Sequence, residues 1–214
     1  MGGELNAVQT IAIYALPVLF AITVHEAAHA YAAKRHGDAT AYMMGRMTLN
    51  PLKHIDPIGT VLIPLLAVTL GGFLFGWAKP VPINFSNLNN PKKDMVWVAA
   101  AGPGANLAMA FIWAMLYNLA ALNPTGYFAL PLSLMAQAGI QINAVLMVLN
   151  LLPIPPLDGG RIAVGLLPRN LALPLARLEP YGMFILVGLM ITGILGVIMR
   201  PFLAATFKLI SLFL

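Results

Sequence analysis

The chain has 214 residues, of which 60% are hydrophobic and 9% charged, with a formal charge of +5 and no cysteine. One water-soluble domain of this length cannot hide that much apolar side chain, and the missing cysteines exclude disulfides and thiolate metal ligands. The basic residues are scattered through short connectors rather than gathered into a stripe, which argues against nucleic acid as a partner and for the charge bias of cytosolic membrane loops.

Several apolar stretches are about 20 residues long, enough to cross a bilayer, and lipid tolerates only backbone that satisfies its own hydrogen bonds. The expected fold is therefore a polytopic all-α membrane protein. It forms a single domain over 1–214, with a core at 7–167 and a C-terminal span and tail at 168–214. About four full transmembrane helices are expected, plus one re-entrant or additional membrane segment and a small membrane-associated β-hairpin. The first stretch, 7–33, is too long and lacks the basic start of a removable signal peptide. It contains His25-Glu26-Ala27-Ala28-His29. Residues four apart share a helix face, so His25 and His29 offer ring nitrogens to one ion while Glu26 flanks it. Ionisable groups in a membrane-grade helix each cost a few kcal/mol unless paired or coordinated, so this trio signals function. Lys34, Arg35, Arg46 and Lys53 follow, which places the N-terminus outside and the site just below the cytosolic surface. Pro17 falls inside this helix, and His36 reads as an interfacial loop residue.

Residues 41–50 read as the hairpin, with Gly45 at its turn and an edge able to pair with an unwound peptide. In 50–60, Pro51 and Pro57 rule out a regular helix, and His54 taken alone is an interfacial histidine. The apolar stretch 58–76 is broken by Pro64 and Gly71-Gly72 and is followed by Lys79, Lys92 and Lys93. A re-entrant segment fits that pattern better than a full crossing, the runner-up. A proline-rich connector, 77–94, leads to a span at 95–121, where Gly102 and Asn106 share a face and read as close packing with one polar tie. The loop 122–131 carries no Lys or Arg and faces outside. The span 132–152 ends at Asn150, followed by prolines and by Asp158-Gly159-Gly160-Arg161. In isolation Asp158 is as much a helix cap as a ligand. The topology returns it to the membrane side of His25 and His29. Arg161, Arg169 and Arg177 lie in a cytosolic linker, 181–199 is the last clear span, and the tail after Pro201 is interfacial or a continuation.

Two imidazoles and one carboxylate leave zinc an open position for water, the arrangement of a catalytic site, with one ion expected per chain. Glu26 is placed to act as general base. Asn150 and His54 are the polar groups available to a developing oxyanion, and Asn150 is equally suited to a helix-end hydrogen bond.

His-Glu-Ala-Ala-His at 25–29, the 150–158 segment with Leu157-Asp158-Gly159, and Gly-Pro-Gly-Ala-Asn at 102–106 together resemble the site-2 protease family of intramembrane zinc metalloproteases. The 50–60 segment and Lys79-Pro80-Val81-Pro82 are similar to its compact prokaryotic subgroup, which lacks a PDZ or CBS module. The resemblance implies that His25, His29 and Asp158 bind zinc, that Glu26 is the general base, and that Asn150 and His54 position substrate or the oxyanion. It also implies a multi-pass protein of the cell membrane that carries out regulated intramembrane proteolysis of membrane-anchored protein substrates. A transmembrane helix must be locally unwound to be cut, and an edge at 41–50 or 81–85 would hold it extended. Two other readings are a non-catalytic zinc-binding membrane protein and a small transporter, the latter disfavoured because no inverted repeat is visible. A homo-oligomer is left open.

Overall fold

The structure, a computed structural model, describes residues 6–62 and 79–214. All regular structure among them is helical: α1 (Ala7–Arg35), α2 (Thr40–Met43), α3 (Pro91–Ala121), α4 (Ala129–Asn150), α5 (Asp158–Leu166), α6 (Arg169–Ala176), α7 (Gly182–Ile191) and α8 (Ile194–Ser211). Single helical turns occur at Pro51–Lys53, Pro57–Leu62, Phe85–Asn87 and Glu179–Tyr181. The start of α1 is fixed by a reciprocal cap, in which Asn6 Oδ1 accepts from Gln9 N–H at 2.9 Å and Gln9 Oε1 accepts from Asn6 N–H at 3.0 Å. Its 29 residues run through Pro17 without a break and reach about 43 Å at about 1.5 Å per residue, longer than the hydrocarbon core.

Five helical runs among the described residues are long and apolar enough to cross a membrane: Val8–Arg35, Pro91–Ala121, Ala129–Asn150, Arg169–Ile191 and Ile194–Ser211. Side-chain size is distributed as a membrane bundle requires. The interior holds Ala21, Ala30, Ala33, Ala110, Ala114, Ala136 and Ala144, while Ile11, Phe20, Ile112, Met115, Leu119 and Phe184 point outward. Small residues let helix backbones approach, and lipid solvates the large ones. Larger side chains also lie inside, among them Trp113, packed with Ala110, Ala136, Ile140 and Ile210. Its indole occupies the space that a Cβ on Gly139 would need, so α3 and α4 meet closely at that level.

Three expectations are corrected. First, 41–50 is no hairpin. Thr40–Met43 is one helical turn, stopped by Gly45 at φ +64. Gly45 N–H donates to Tyr42 C=O (3.0 Å) and Arg46 N–H to Ala41 C=O (2.8 Å), the paired bonds of a left-handed helix stop. A glycine marks either structure; here Met43 N–H returns to the Ala39 carbonyl at 2.9 Å and Met44 N–H to the Thr40 carbonyl at 3.1 Å, the backbone bonds of a helical turn. Second, 81–85 forms no ladder. Pro80 and Pro82 have no N–H, Val81 N–H donates to Glu26, and Asn84 N–H donates to Asp38 at 2.8 Å. Third, the last span is not 181–199. Gly193, at φ +74, divides that stretch. The helix that runs alongside the bundle is α8: Met199 packs with Met147, Val148 and Leu152 at the end of α4. Ile210 packs near its beginning, and Phe213 C=O accepts from Asn118 Nδ2 at 2.6 Å. The expected tail is thus a helix of the bundle. The apolar stretch 58–76 lies outside the described residues from 63 onward.

Candidate metal centre

The last turns of α1, the first half of α3 and the segment after α4 come together around one site. His25 and His29, four residues apart on α1, are both buried, and their Nε2 atoms are 3.0 Å apart. Asp158, the first residue of α5, brings Oδ2 to 3.4 Å from His25 Nε2 and 3.3 Å from His29 Nε2. Three ligand atoms from two distant parts of the sequence thus converge. The N-cap of α5 is Leu157, and no side chain caps the helix, so Asp158 is committed to the imidazoles and not to a cap. Its approach needs the two glycines that follow. A Cβ on Gly159 would collide with the Leu151 and Leu152 carbonyls, and one on Gly160 with the Pro155 backbone.

The donor set fits a divalent ion. His29 Nδ1 lies 2.7 Å from the Val98 carbonyl, which only accepts, so the ring proton sits on Nδ1 and the Nε2 lone pair faces the centre. His25 Nδ1 lies 2.7 Å from Asn106 Oδ1. Asp158 Oδ2 is buried and has no hydrogen-bond donor. Three lone-pair atoms aimed at one another repel unless a cation sits between them. A tetrahedral ion with bonds of about 2.0–2.1 Å spaces its ligand atoms about 3.3 Å apart, close to the separations found. Gly102 of α3 makes room for the rings, because a Cβ there would meet His29 Nε2 and His25 Cε1.

A cavity of about 270 Å³ opens on this triad and is also lined by Glu26, Val81, Asn150 and Arg161. Glu26 is fixed from the loop above α1, where Oε2 accepts from Val81 N–H at 2.7 Å. That loop is itself held: Arg46 Nη2 donates to the Lys79 carbonyl at 2.9 Å, and Asp38 accepts from Asn84 N–H and from Asn87 Nδ2. Val81 packs with Ala30 and Ala41. Arg161, one helical turn after Asp158, lies over the Phe85 ring with its guanidinium carbon 4.9 Å from the centroid, and pairs with Glu179 at 3.2 Å.

His25, His29, Asp158, Glu26 and Asn150 are brought together; His54 is not. Asn150 lines the cavity while Nδ2 donates to the Leu146 carbonyl at 3.0 Å, so the helix-end bond and the cavity position coexist. His54 is completely buried beside its own loop, with Nε2 2.9 Å from the Thr48 carbonyl, and does not line the cavity. The turn Pro51–Lys53 immediately precedes it, and its Nε2 is turned towards the Thr48 carbonyl rather than towards the cavity. Asn106 was legible only as a packing tie, yet it is the hydrogen-bond partner of His25. Its place four residues after Gly102 is the one local signal. His36 pairs with Asp94 at 3.1 Å and joins the end of α1 to the start of α3.

The model of peptidase family M50 matches residues 13–126, which include both histidines and Glu26. The chain is 38% identical over 193 residues to "Putative zinc metalloprotease YwhC" of Bacillus subtilis, covering 89% of this chain and 85% of that one. It is 34% identical over 184 residues to "Putative zinc metalloprotease Rip2" of Mycolicibacterium smegmatis, covering 83% of this chain and 66% of that one. The protein of that name from Mycobacterium tuberculosis is 34% identical over 146 residues, with 66% and 52% covered, so the chain spans about half its length. No solved structure matches. A helix-borne His-Glu-x-x-His, a distant aspartate converging on it, helices long and apolar enough to cross a membrane and these relatives agree, and the chain belongs to peptidase family M50, the site-2 protease family of metalloproteases.

Proposed function

We propose that the protein is an intramembrane zinc endopeptidase that hydrolyses peptide bonds within or near the transmembrane segments of membrane-anchored proteins. The observation that carries this is the convergence of His25, His29 and Asp158 on a cavity that also holds the Glu26 carboxylate, inside a bundle of apolar helices. One zinc ion per chain, held by those three residues, would supply Lewis-acid polarisation of the scissile carbonyl and activation of water. Glu26, oriented by Val81 N–H, takes a proton from the attacking water as its oxygen bonds to the carbonyl carbon. It returns that proton to the amine as the C–N bond breaks. Asn150 Nδ2 gives one N–H to Leu146 and has a second for the substrate carbonyl as negative charge develops on it. His54 has no part in this scheme. The scissile segment enters unwound, since a helical peptide shields its carbonyls. The basic residues after α1 support a cell-membrane orientation with the N-terminus outside and the site towards the cytosol, the side on which regulated cleavage would release a domain.

The test is reconstitution in lipid vesicles with membrane-anchored substrates, comparing the native chain with Glu26→Gln. Native protein should cut within the substrate's membrane segment and carry about one zinc per chain. Glu26→Gln should keep the zinc and lose at least about 100-fold in rate. Undiminished cleavage by Glu26→Gln, or native protein that binds zinc and cuts no membrane substrate, would overturn the proposal.

A further inference from the structure

His25 can offer Nε2 to a metal only if its proton resides on Nδ1, and Asn106 enforces that only if its amide oxygen, not its NH2, faces the ring. What sets the direction of that amide lies farther away. Asn106 and Asn143 are both completely buried. Asn143 Nδ2 donates to the carbonyl of Gly139 at 2.8 Å, one turn earlier on α4. A carbonyl has no proton to give, so reversing the Asn143 amide would set two oxygens face to face. Its Oδ1 is therefore turned towards α3, where it accepts from Asn106 Nδ2 at 2.9 Å. The same Nδ2 lies 3.2 Å from the Ala21 carbonyl of α1, so both its N–H bonds end on oxygen. Asn106 Oδ1 is left for His25 Nδ1, at 2.7 Å.

Resting on the reading of His25, His29 and Asp158 as a metal centre, we infer that Asn143 is a positioning residue of that centre. The backbone carbonyls of Gly139 and Ala21 act through the Asn143 and Asn106 amides to fix which nitrogen of His25 faces the ion. His29 obtains the same orientation in one step, from the Val98 carbonyl. His25 obtains it in three, across α1, α3 and α4. The close approach of α3 and α4 at Trp113 and Gly139 keeps Asn143 within reach of Asn106. If the Asn143 side chain merely filled space between the helices, any side chain of the same shape at 143 would serve. If they set the tautomer, the order of donor and acceptor matters.

The test uses the full chain in detergent, with metal binding as the readout. Asn143→Leu keeps the shape and removes the order. Asn143→Asp, kept neutral by burial, restores it with a hydroxyl donating to Gly139 and a carbonyl accepting from Asn106. Zinc affinity, measured by chelator competition, is expected to fall about 10-fold or more in the Leu form and to stay within about 3-fold of native in the Asp form. The visible absorption of the Co2+-loaded protein should change in the Leu form alone. Should the Leu form fail to fold, Asn143→Ala carries the same comparison. Native affinity and spectrum in the Leu or Ala form, or equal losses in the Leu and Asp forms, would overturn the inference. Native protein that binds no zinc would instead overturn the metal-centre reading beneath it.

Discussion

Adding one methyl group at Gly102 should weaken metal binding while leaving the bundle folded. The Cβ of Gly102→Ala would lie 2.6 Å from Cε1 of both His25 and His29. Carbon atoms in contact prefer about 3.5–4.0 Å, so the rings or α3 must give way by about 1 Å. If the rings turn aside, the bonds from their Nδ1 atoms to Asn106 and Val98, each 2.7 Å, are strained. Metal–ligand distances tolerate only about 0.2 Å, so the triangle of His25, His29 and Asp158 no longer matches an ion. If α3 retreats instead, overpacking costs about 1–3 kcal/mol. At about 1.4 kcal/mol per tenfold change, that cost corresponds to a loss of about 5- to 150-fold in zinc affinity. Chelator competition measures the affinity, and circular dichroism of the metal-free protein confirms the helices. Gly102→Ala protein that binds zinc as tightly as native and cleaves as fast would refute the packing argument. Gly104→Ala is the internal control, because nothing lies within 4 Å of its Cβ.

Further expectations concern the loop over the site, the acid response and the last helix. Val81→Pro removes the N–H that orients Glu26 and should lower kcat about 10-fold or more without releasing zinc; an unchanged kcat would mean that this bond does not position the base. At Asp38, burial pushes the carboxyl up. Hydrogen bonds from the Thr40 hydroxyl, the Asn84 and Thr40 N–H groups and the Asn87 amide outweigh it and hold the group below its ordinary 3.8. The stability so gained is complete above 3.8 and is lost as pH falls through the lowered value. The melting-temperature gap between native protein and Asp38→Asn should therefore be constant near neutrality and close in acid; a gap that persists in acid would count against the assignment. Gly193→Ala, at φ +74, should destabilise by about 1–2 kcal/mol, whereas Gly196→Ala inside α8, with open space at its Cβ, should stabilise by about 0.5–1 kcal/mol. Equal melting temperatures for these two variants would contradict the division of 181–199 at Gly193.

The sequence by itself determined the membrane class and half of the metal centre, because those features are local. Twenty apolar residues bury themselves in lipid whatever their neighbours do, and residues four apart on a helix share a face before any tertiary contact forms. Asp158 was within reach of the same logic once the spans were counted. Gly45 and Gly193 were visible as glycines, but a glycine permits a hairpin turn, a helix stop or neither. The choice was made by the packing of Ala41 with Ala30 and Val81 before Gly45, and by the packing of Met199 and Ile210 against α4 after Gly193. The fates of His54 and Asn143 were settled in the same way. A histidine or an asparagine carries donors and acceptors whose meaning depends on what faces them. Those partners, the Thr48 carbonyl for one and Gly139 with Asn106 for the other, acquire their positions only when the chain is folded.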